Sequence, residues 1–240
     1  MTSYNNDPEF KKKAVEAAIR HREMDMLISG DYGSDSINGF KGCSIGCDAF
    51  DITGNVPNNP HQTTAKYFGF PEWLEHLRDK IFEGLESLED ADRSSWHVDI
   101  KQAIPIGMDD ADFDQVKKDF LVWLMEQNIK AVECLDTEEE LKDRILSAIN
   151  GVIKSVSTGE GVEEAEKRAG YLSGEAEWLI SDGAKYALLS AKFALIDISL
   201  SSEYSATTAE SIATKEFFLN TSAYKKQADK LIELFKALKK

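Results

Sequence analysis

Residues 161–183 read GVEEAEKRAGYLSGEAEWLISDG, and the spacing of the apolar residues in this stretch decides the fold class. Small and apolar residues alternate at intervals of four and three along it, which places them in one stripe on an α-helix. The members of the stripe are Ala165, Ala169, Leu172, Ala176, Leu179 and Gly183. Because small residues let helix axes approach closely, the stretch predicts a helix in a tightly packed antiparallel bundle.

The same pattern extends outward in both directions from this stretch. The last of the five prolines is Pro105, so nothing after it interrupts a long helix. Apolar periodicity and helix-start signals predict helices over residues 9–26, 71–88, 109–128, 137–157, 161–183, 184–198 and 228–238. We therefore expect a mainly α protein built as a helical bundle. An alanine-lined helix face can pack against another helix of the same chain or against a second copy of the protein. A homo-oligomer is therefore an open alternative.

One segment, residues 28–60, does not have a helical pattern. It is rich in glycine, and Asn38-Gly39 is a turn signal that favours a short two-stranded ribbon. We expect an N-terminal helical part with this irregular loop over residues 1–110 and a C-terminal bundle over residues 111–240, together one continuous domain.

Composition narrows the classes of function. The 240 residues carry 28 basic and 43 acidic side chains, a formal charge of −15 with a pI near 4.7, which argues against direct binding to nucleic acid or to an anionic membrane. The sequence contains neither a signal-peptide core nor an apolar run long enough to span a bilayer. Three cysteines do not form a disulfide framework, so a reducing, cytoplasmic location is expected.

The irregular segment contains the residues with the clearest chemical potential. Residues 39–48 read GFKGCSIGCD, and a glycine-rich turn that enters a helix can direct several backbone N–H groups at one anion. The predicted ligand-binding residues are Tyr32, Lys41, Gly42, Cys43, Ser44, Gly46 and Cys47. In the competing structural interpretation, the glycines permit close crossing of two chain segments and the cysteines are small buried residues.

Two further interpretations concern the cysteines. Cys43 and Cys47 with His61 would supply part of a zinc site, but the second ligand pair of a structural finger is missing, so neither a metal nor another cofactor is predicted. Alternatively, Cys43 or Cys47 would be a nucleophile at a helix N-terminus with His61 as its base. The protein is expected to be non-catalytic, because the sequence contains no complete catalytic constellation.

A second candidate surface is acidic. Residues 86–114 carry nine carboxylates, and the predicted partner-binding residues among them are Asp90, Asp92, Asp109, Asp110 and Asp112. Such runs usually form a solvated face with acids at helix N-termini. The alternative is that the surface imitates a nucleic acid and occupies the basic groove of a partner protein.

Several short motifs follow one another along the chain: Gly30-Asp31-Tyr32, Lys41–Cys47, His61, Phe70–Leu74, Leu77–Leu85, Ala103–Gly107 and Tyr224–Leu234 at the C-terminal helix. Their order resembles a family of uncharacterised proteins from bacteriophages and prophages, whose members pair a GC-x2-GC segment with a helix like RDxIFEGL and a turn like AIPxG. In that context the basic partner of a nucleic-acid mimic would be a host defence protein. Between residues 160 and 220 the chain departs from the family's alanine- and serine-rich pattern.

The family has no established activity to carry over, so the resemblance implies only a context. It implies a phage-associated accessory protein that acts in the host cytoplasm by binding a host protein or a small ligand.

Overall fold

The structure, a computed structural model, describes residues 1–36, 39–85, 90–134, 138–179, 191 and 222–238. Its helices are α1 (Pro8–Glu23), α2 (Ser44–Thr53), α3 (Pro60–Phe68), α4 (Glu72–Gly84), α5 (Asp90–Ala103), α6 (Asp110–Glu133), α7 (Glu139–Thr158), α8 (Val162–Leu179) and α9 (Ser222–Ala237). The mainly α helical bundle is confirmed. Within the described part, no helix is long and apolar enough to span a membrane.

The glycine-rich segment is more regular than predicted. Two three-residue strands, β1 (Ser34–Ser36) and β2 (Gly39–Lys41), pair antiparallel at the position of the expected ribbon. The expectation of irregular chain up to residue 60 was wrong, because α2 forms within it. A helix is stable there despite its glycine because its side chains, including Ile45 and Ala49, are buried.

Local signals account for most of the helices that were predicted. Asp7 caps α1, where its carboxylate accepts a hydrogen bond from the Glu9 amide at 2.8 Å, and Pro8 occupies the first helical position. Thr137, the first residue of the helix predicted over 137–157, lies outside the described residues. The predicted helix over 184–198 also lies outside them, apart from the buried Ala191.

The chain divides into two compact units. The first comprises Met1–Val116 and Thr221–Lys240, and the second comprises Lys117–Asn220. In the first unit α9 packs on α4 and α5. In the second unit α7 packs on α8, where Ala165, Ala169 and Leu172 of the predicted stripe are buried. The division into 1–110 and 111–240 stays a prediction, as does the homo-oligomer; the contacts place the C-terminal helix with the first unit.

A close approach between two helices fixes α9 on the first unit. The Tyr224 ring lies directly over Gly84, so a Cβ at that position would overlap the ring. Tyr224, Leu231 and Phe235 are all buried, and the Phe235 ring contacts Phe113 edge to face. The apolar face of α9 therefore closes the core of this unit.

Candidate functional site

The N-terminus of α2 is built against the backbone of Tyr32. The Cys43 Sγ caps this helix by accepting a hydrogen bond from the Gly46 amide at 3.4 Å. Gly42 and Gly46 both lie so close to the Tyr32 carbonyl that a Cβ at either position would overlap it. These two glycines therefore permit a close crossing of two chain segments, as the structural interpretation of the loop requires.

This crossing forms one wall of a cleft of about 430 Å³ in the first unit. The residues that line it are Gly30, Asp31, Tyr32, Cys43, Asp79, Lys80 and Glu83. Three of them are carboxylates and one is a lysine, so the cleft has an acidic lining. Tyr32 is 40% exposed at the surface of the protein, whereas Cys43 is buried.

Asp79 lies at the base of the cleft beside two histidines. Its Oδ2 is 3.1 Å from the His61 Nε2, and the His61 ring stacks on His76 with 3.8 Å between ring centroids. Tyr32 contacts the His61 ring edge to face. Among the described residues the buried Asp79 Oδ1 has no hydrogen-bond partner. An unpaired buried oxygen of this kind is unfavourable unless a ligand satisfies it.

The glycine-rich turn was predicted to direct its backbone N–H groups at an anion, but four of these groups donate hydrogen bonds to other atoms of the protein instead. The Gly42 amide donates to the Met26 carbonyl, and the Cys43 amide donates to the Asp31 carbonyl. The Gly46 amide donates to Cys43 Sγ, and the Cys47 amide continues the helix to the Cys43 carbonyl. These donors are engaged within the protein.

The other predicted ligand-binding residues are distributed around the cleft rather than gathered in it. The exposed Lys41 Nζ forms an ion pair with Asp25 at 2.7 Å. Ser44 is buried, and its Oγ has no hydrogen-bond partner among the described residues. Cys47 Sγ lies 3.5 Å from the Gly42 carbonyl, within the core. Of the predicted set, Tyr32 and Cys43 line the cleft.

The geometry does not pair Cys43 with a histidine base. His61 faces Asp79 through its Nε2, and burial together with the Asp79 charge raises the pKa of the Cys43 thiol above its usual range. Burial, followed by the charge of Asp48, raises the pKa of Cys47 to about 12. Both cysteines are therefore protonated thiols near neutral pH.

Thiol labelling checks this description of the three cysteines. Cys134 is exposed, whereas Cys43 and Cys47 are buried. We expect one thiol per native chain to react rapidly with a maleimide or an aromatic disulfide at pH 7.5, and peptide mapping to assign it to Cys134. All three should react in denaturant. Rapid native labelling of Cys43 would contradict the structure and favour a nucleophilic role.

The predicted acidic partner surface has local structural roles at one of its ends. The Asp109 amide donates to the Asp112 carboxylate at 2.9 Å, and the Asp112 amide donates to Asp109 at 3.1 Å. This reciprocal pair caps α6. Asp110 is exposed and lies 3.9 Å from the amino terminus. Asp90 begins α5, and the side chains of Asp90 and Asp92 are outside the described residues.

A second cluster, which sequence analysis did not predict, includes Asp48 of α2. Seven ionisable residues with negligible exposure come together from the N-terminus, α1, α2, α4 and α5. We call them the buried charge cluster: Tyr4, His21, Asp48, Glu75, Arg78, His97 and Lys101. A cavity of about 220 Å³ reaches Asp48 and Lys101 from the side of α1.

Asp48 is the centre of this cluster. Its Oδ1 accepts a hydrogen bond from Lys101 Nζ at 2.5 Å, and its Oδ2 accepts one from Arg78 at 3.2 Å. Arg78 also binds both oxygens of Glu75, at 2.7 and 2.9 Å. Two buried cations thus balance two buried carboxylates, which is the condition for charges to be tolerated away from water.

Burial and the neighbouring charges shift the pKa values in this cluster. Burial alone would raise the pKa of Asp48, but the positive charges of Lys101 and Arg78 hold it below its usual range. Burial lowers the pKa of Lys101, and the nearby Asp48 only partly compensates. Burial also lowers the pKa of His97 well below 6.5, with Lys101, His21 and Arg78 adding to the effect against the opposing charge of Asp48.

The neutral state of His97 leads to a pH-dependent stability. Below pH 6.5 the unfolded chain takes up a proton on this histidine and the folded chain does not, so acidification favours unfolding. Between pH 6 and 5 we expect the free energy of unfolding of the parent protein to fall as the pH is lowered. This fall should be steeper than that of His97→Gln by about 1.4 kcal/mol per pH unit. Urea titrations followed by hydrogen exchange of α5 peptides measure it. Equal slopes in both proteins would contradict the description of His97.

The sequence contained two signals for the buried charge cluster. Glu75 and Arg78 are three residues apart within the apolar pattern of α4, and His97 and Lys101 are four apart among Trp96, Val98 and Ile100. Such spacing places each pair on one helix face. Periodicity alone assigns these faces to solvent, so the cluster was missed.

No family model, curated protein or solved structure matches this chain.

Proposed function

We propose that this protein is a phage-associated accessory protein that acts in the host cytoplasm by binding, without catalysis, and that a small positively charged ligand occupies the cleft. The motif resemblance supports the phage context. The observation that carries the binding proposal is the buried Asp79 Oδ1, which has no hydrogen-bond partner among the described residues. Its free-energy cost is relieved when a cationic group binds it.

The lining of the cleft agrees with such a ligand. Asp31, Asp79 and Glu83 give it an acidic character, while the Tyr32 ring offers an aromatic surface at its rim. A cation over an aromatic ring and beside carboxylates is held by both. A volume of about 430 Å³ is within the range of small-molecule pockets.

The alternatives receive less support from the geometry. An enzyme that uses Cys43 with His61 needs these side chains to face each other, but the His61 Nε2 faces Asp79 instead. A nucleic-acid mimic needs its carboxylates to project freely, yet Asp109 and Asp112 bind each other's backbone amides. Binding of a host protein by the acidic face stays a weaker proposal.

The proposal is tested by identifying what the protein retains when it is purified from infected cells. Native mass spectrometry of the full-length chain should show an adduct of constant mass, which is released by denaturation and identified by small-molecule analysis. Asp79→Asn should lose the adduct. Asp99→Asn, which removes an exposed acid from α5 and changes the net charge equally, should keep it. An adduct retained equally by both variants, or no adduct at all, would overturn the proposal.

A further inference from the structure

Two groups of side chains in the described residues could each hold a metal ion. One is His21, Asp48 and His97 in the buried charge cluster, and the other is Cys43, Asp79 and Glu83 in the cleft. In each group the ligand atoms lie within 4.8 Å of one another. The charges around the two groups differ, and this difference indicates which group is suited to bind a metal ion.

The group in the buried charge cluster is already occupied by protein cations. Both oxygens of Asp48 accept hydrogen bonds from cations, Oδ1 from Lys101 and Oδ2 from Arg78. The His21 Nδ1 is 3.3 Å from the His97 Nε2, so the two imidazoles face each other. A divalent ion there would have to displace Lys101 and remain beside Arg78. Repulsion between these charges opposes binding.

The group in the cleft has the opposite surroundings. Two carboxylates and a thiol converge, with a third carboxylate, Asp31, in the lining, against the single lysine of that lining, Lys80. The cleft gives an ion a path from solvent, and Asp79 Oδ1 is buried without a hydrogen-bond partner among the described residues. Net negative charge, an entry path and an unsatisfied ligand atom are what a bound cation requires.

Surrounding contacts orient two of these ligands. His61 Nε2 lies 3.1 Å from Asp79 Oδ2, and the Gly30 amide donates to Glu83 Oε2 at 2.7 Å. Hydrogen bonds to the ligating groups, made by residues that do not touch the metal, are typical of metal centres in proteins. The Cys43 Sγ is held at the N-terminus of α2, where it caps the helix.

We infer that the cationic ligand of the cleft is a divalent transition-metal ion of the zinc class, bound by Cys43, Asp79 and Glu83. This inference rests on the proposed function, since it names the cation that the cleft takes up. A cysteine ligand selects zinc over magnesium or calcium, which prefer oxygen alone. The ligand atoms of a tetrahedral zinc ion are about 3.5 Å apart, so ligand atoms that lie within 4.8 Å of one another have to come closer on binding. Binding also replaces the S–H bond of Cys43 with a metal–sulfur bond, and the proton leaves to solvent.

The inference is tested with the metal alone on full-length protein stripped with a chelator. Titration calorimetry with Zn²⁺ should give one site per chain. Substitution with Co²⁺ should give a thiolate-to-cobalt absorption band in the near ultraviolet. Cys43→Ser should abolish that band and Glu83→Gln, at a partly exposed position, should weaken Zn²⁺ binding at least about 10-fold. Cys47→Ser and Cys134→Ser are matched controls and should keep both the band and the affinity.

The outcomes separate this inference from the proposed function. Absence of the cobalt band, or its persistence in Cys43→Ser, overturns the metal site. If Zn²⁺ fails to bind while an organic cation is retained in an Asp79-dependent way, the metal inference fails and the proposed function stands. If neither binds, both fail. Circular dichroism of each variant confirms that it is folded, and Glu83→Gln provides a second reading should Cys43→Ser not fold.

Discussion

Replacing Asp48 with asparagine is expected to lower the free energy of unfolding by about 3 to 5 kcal/mol. The amide cannot balance Lys101 and Arg78, which would remain buried with their charge only partly compensated by Glu75. Losing one partner of a buried ion network costs far more than losing a surface pair, because the remaining charge keeps its desolvation penalty. Urea unfolding followed by hydrogen exchange of α4 and α5 peptides measures the effect.

Two comparison variants make this prediction specific. Asp51→Asn changes a carboxylate one turn along α2 whose side chain is 29% exposed, and should cost no more than about 1 kcal/mol. The double variant Asp48→Asn/Lys101→Met removes the uncompensated cation and should recover part of the loss. If Asp48→Asn and Asp51→Asn are equally mild, Asp48 does not have the central role described.

The substitution Gly46→Ala should destabilise the first unit by at least about 3 kcal/mol. In an ordinary helix interior this change is stabilising by about 1 kcal/mol, since alanine has the higher helix propensity. Here the added Cβ would overlap the Tyr32 carbonyl, and backbone cannot move aside as a flexible side chain can. We therefore expect Gly46→Ala to lower the free energy of unfolding, whereas the same change in an ordinary helix raises it.

Gly151→Ala is the matched control for Gly46→Ala. Gly151 is also within a helix, α7, but nothing lies within 4 Å of an added Cβ. We expect this variant to be stabilised by about 0.5 to 1 kcal/mol. Hydrogen exchange of peptides from α2 and α7 reports the two units separately. Stabilisation by both substitutions would contradict the close crossing at Tyr32.

The sequence predicted those features of the fold that depend on short-range chemistry. The helices predicted over 9–26, 71–88, 109–128 and 228–238 correspond to α1, α4, α6 and α9, since apolar residues three and four apart and helix-start signals are local features. The predicted helix ranges did not include α2, which contains glycine and has most of its side chains buried. Tertiary contacts outweighed local propensity at this position.

The candidate site was predicted only in part. Cys43 and Tyr32 were selected from the glycine-rich loop, and both line the cleft. Asp79 and Glu83 were not selected as site residues, because periodicity does not reveal which polar residues turn towards a cleft. Asp79 and Glu83 are 36 and 40 positions from Cys43 in the sequence. No local sequence pattern indicates a contact between residues so far apart.

The return of α9 to the first unit has a consequence for the order of events during synthesis. Residues 1–116 of this unit are separated along the chain from Ser222–Ala237, which complete it. While the chain is being made, the surface of α4 around Gly84 has no Tyr224 to cover it until that later helix has left the ribosome. The part of the first unit that carries the cleft is therefore synthesised well before the helix that closes its core.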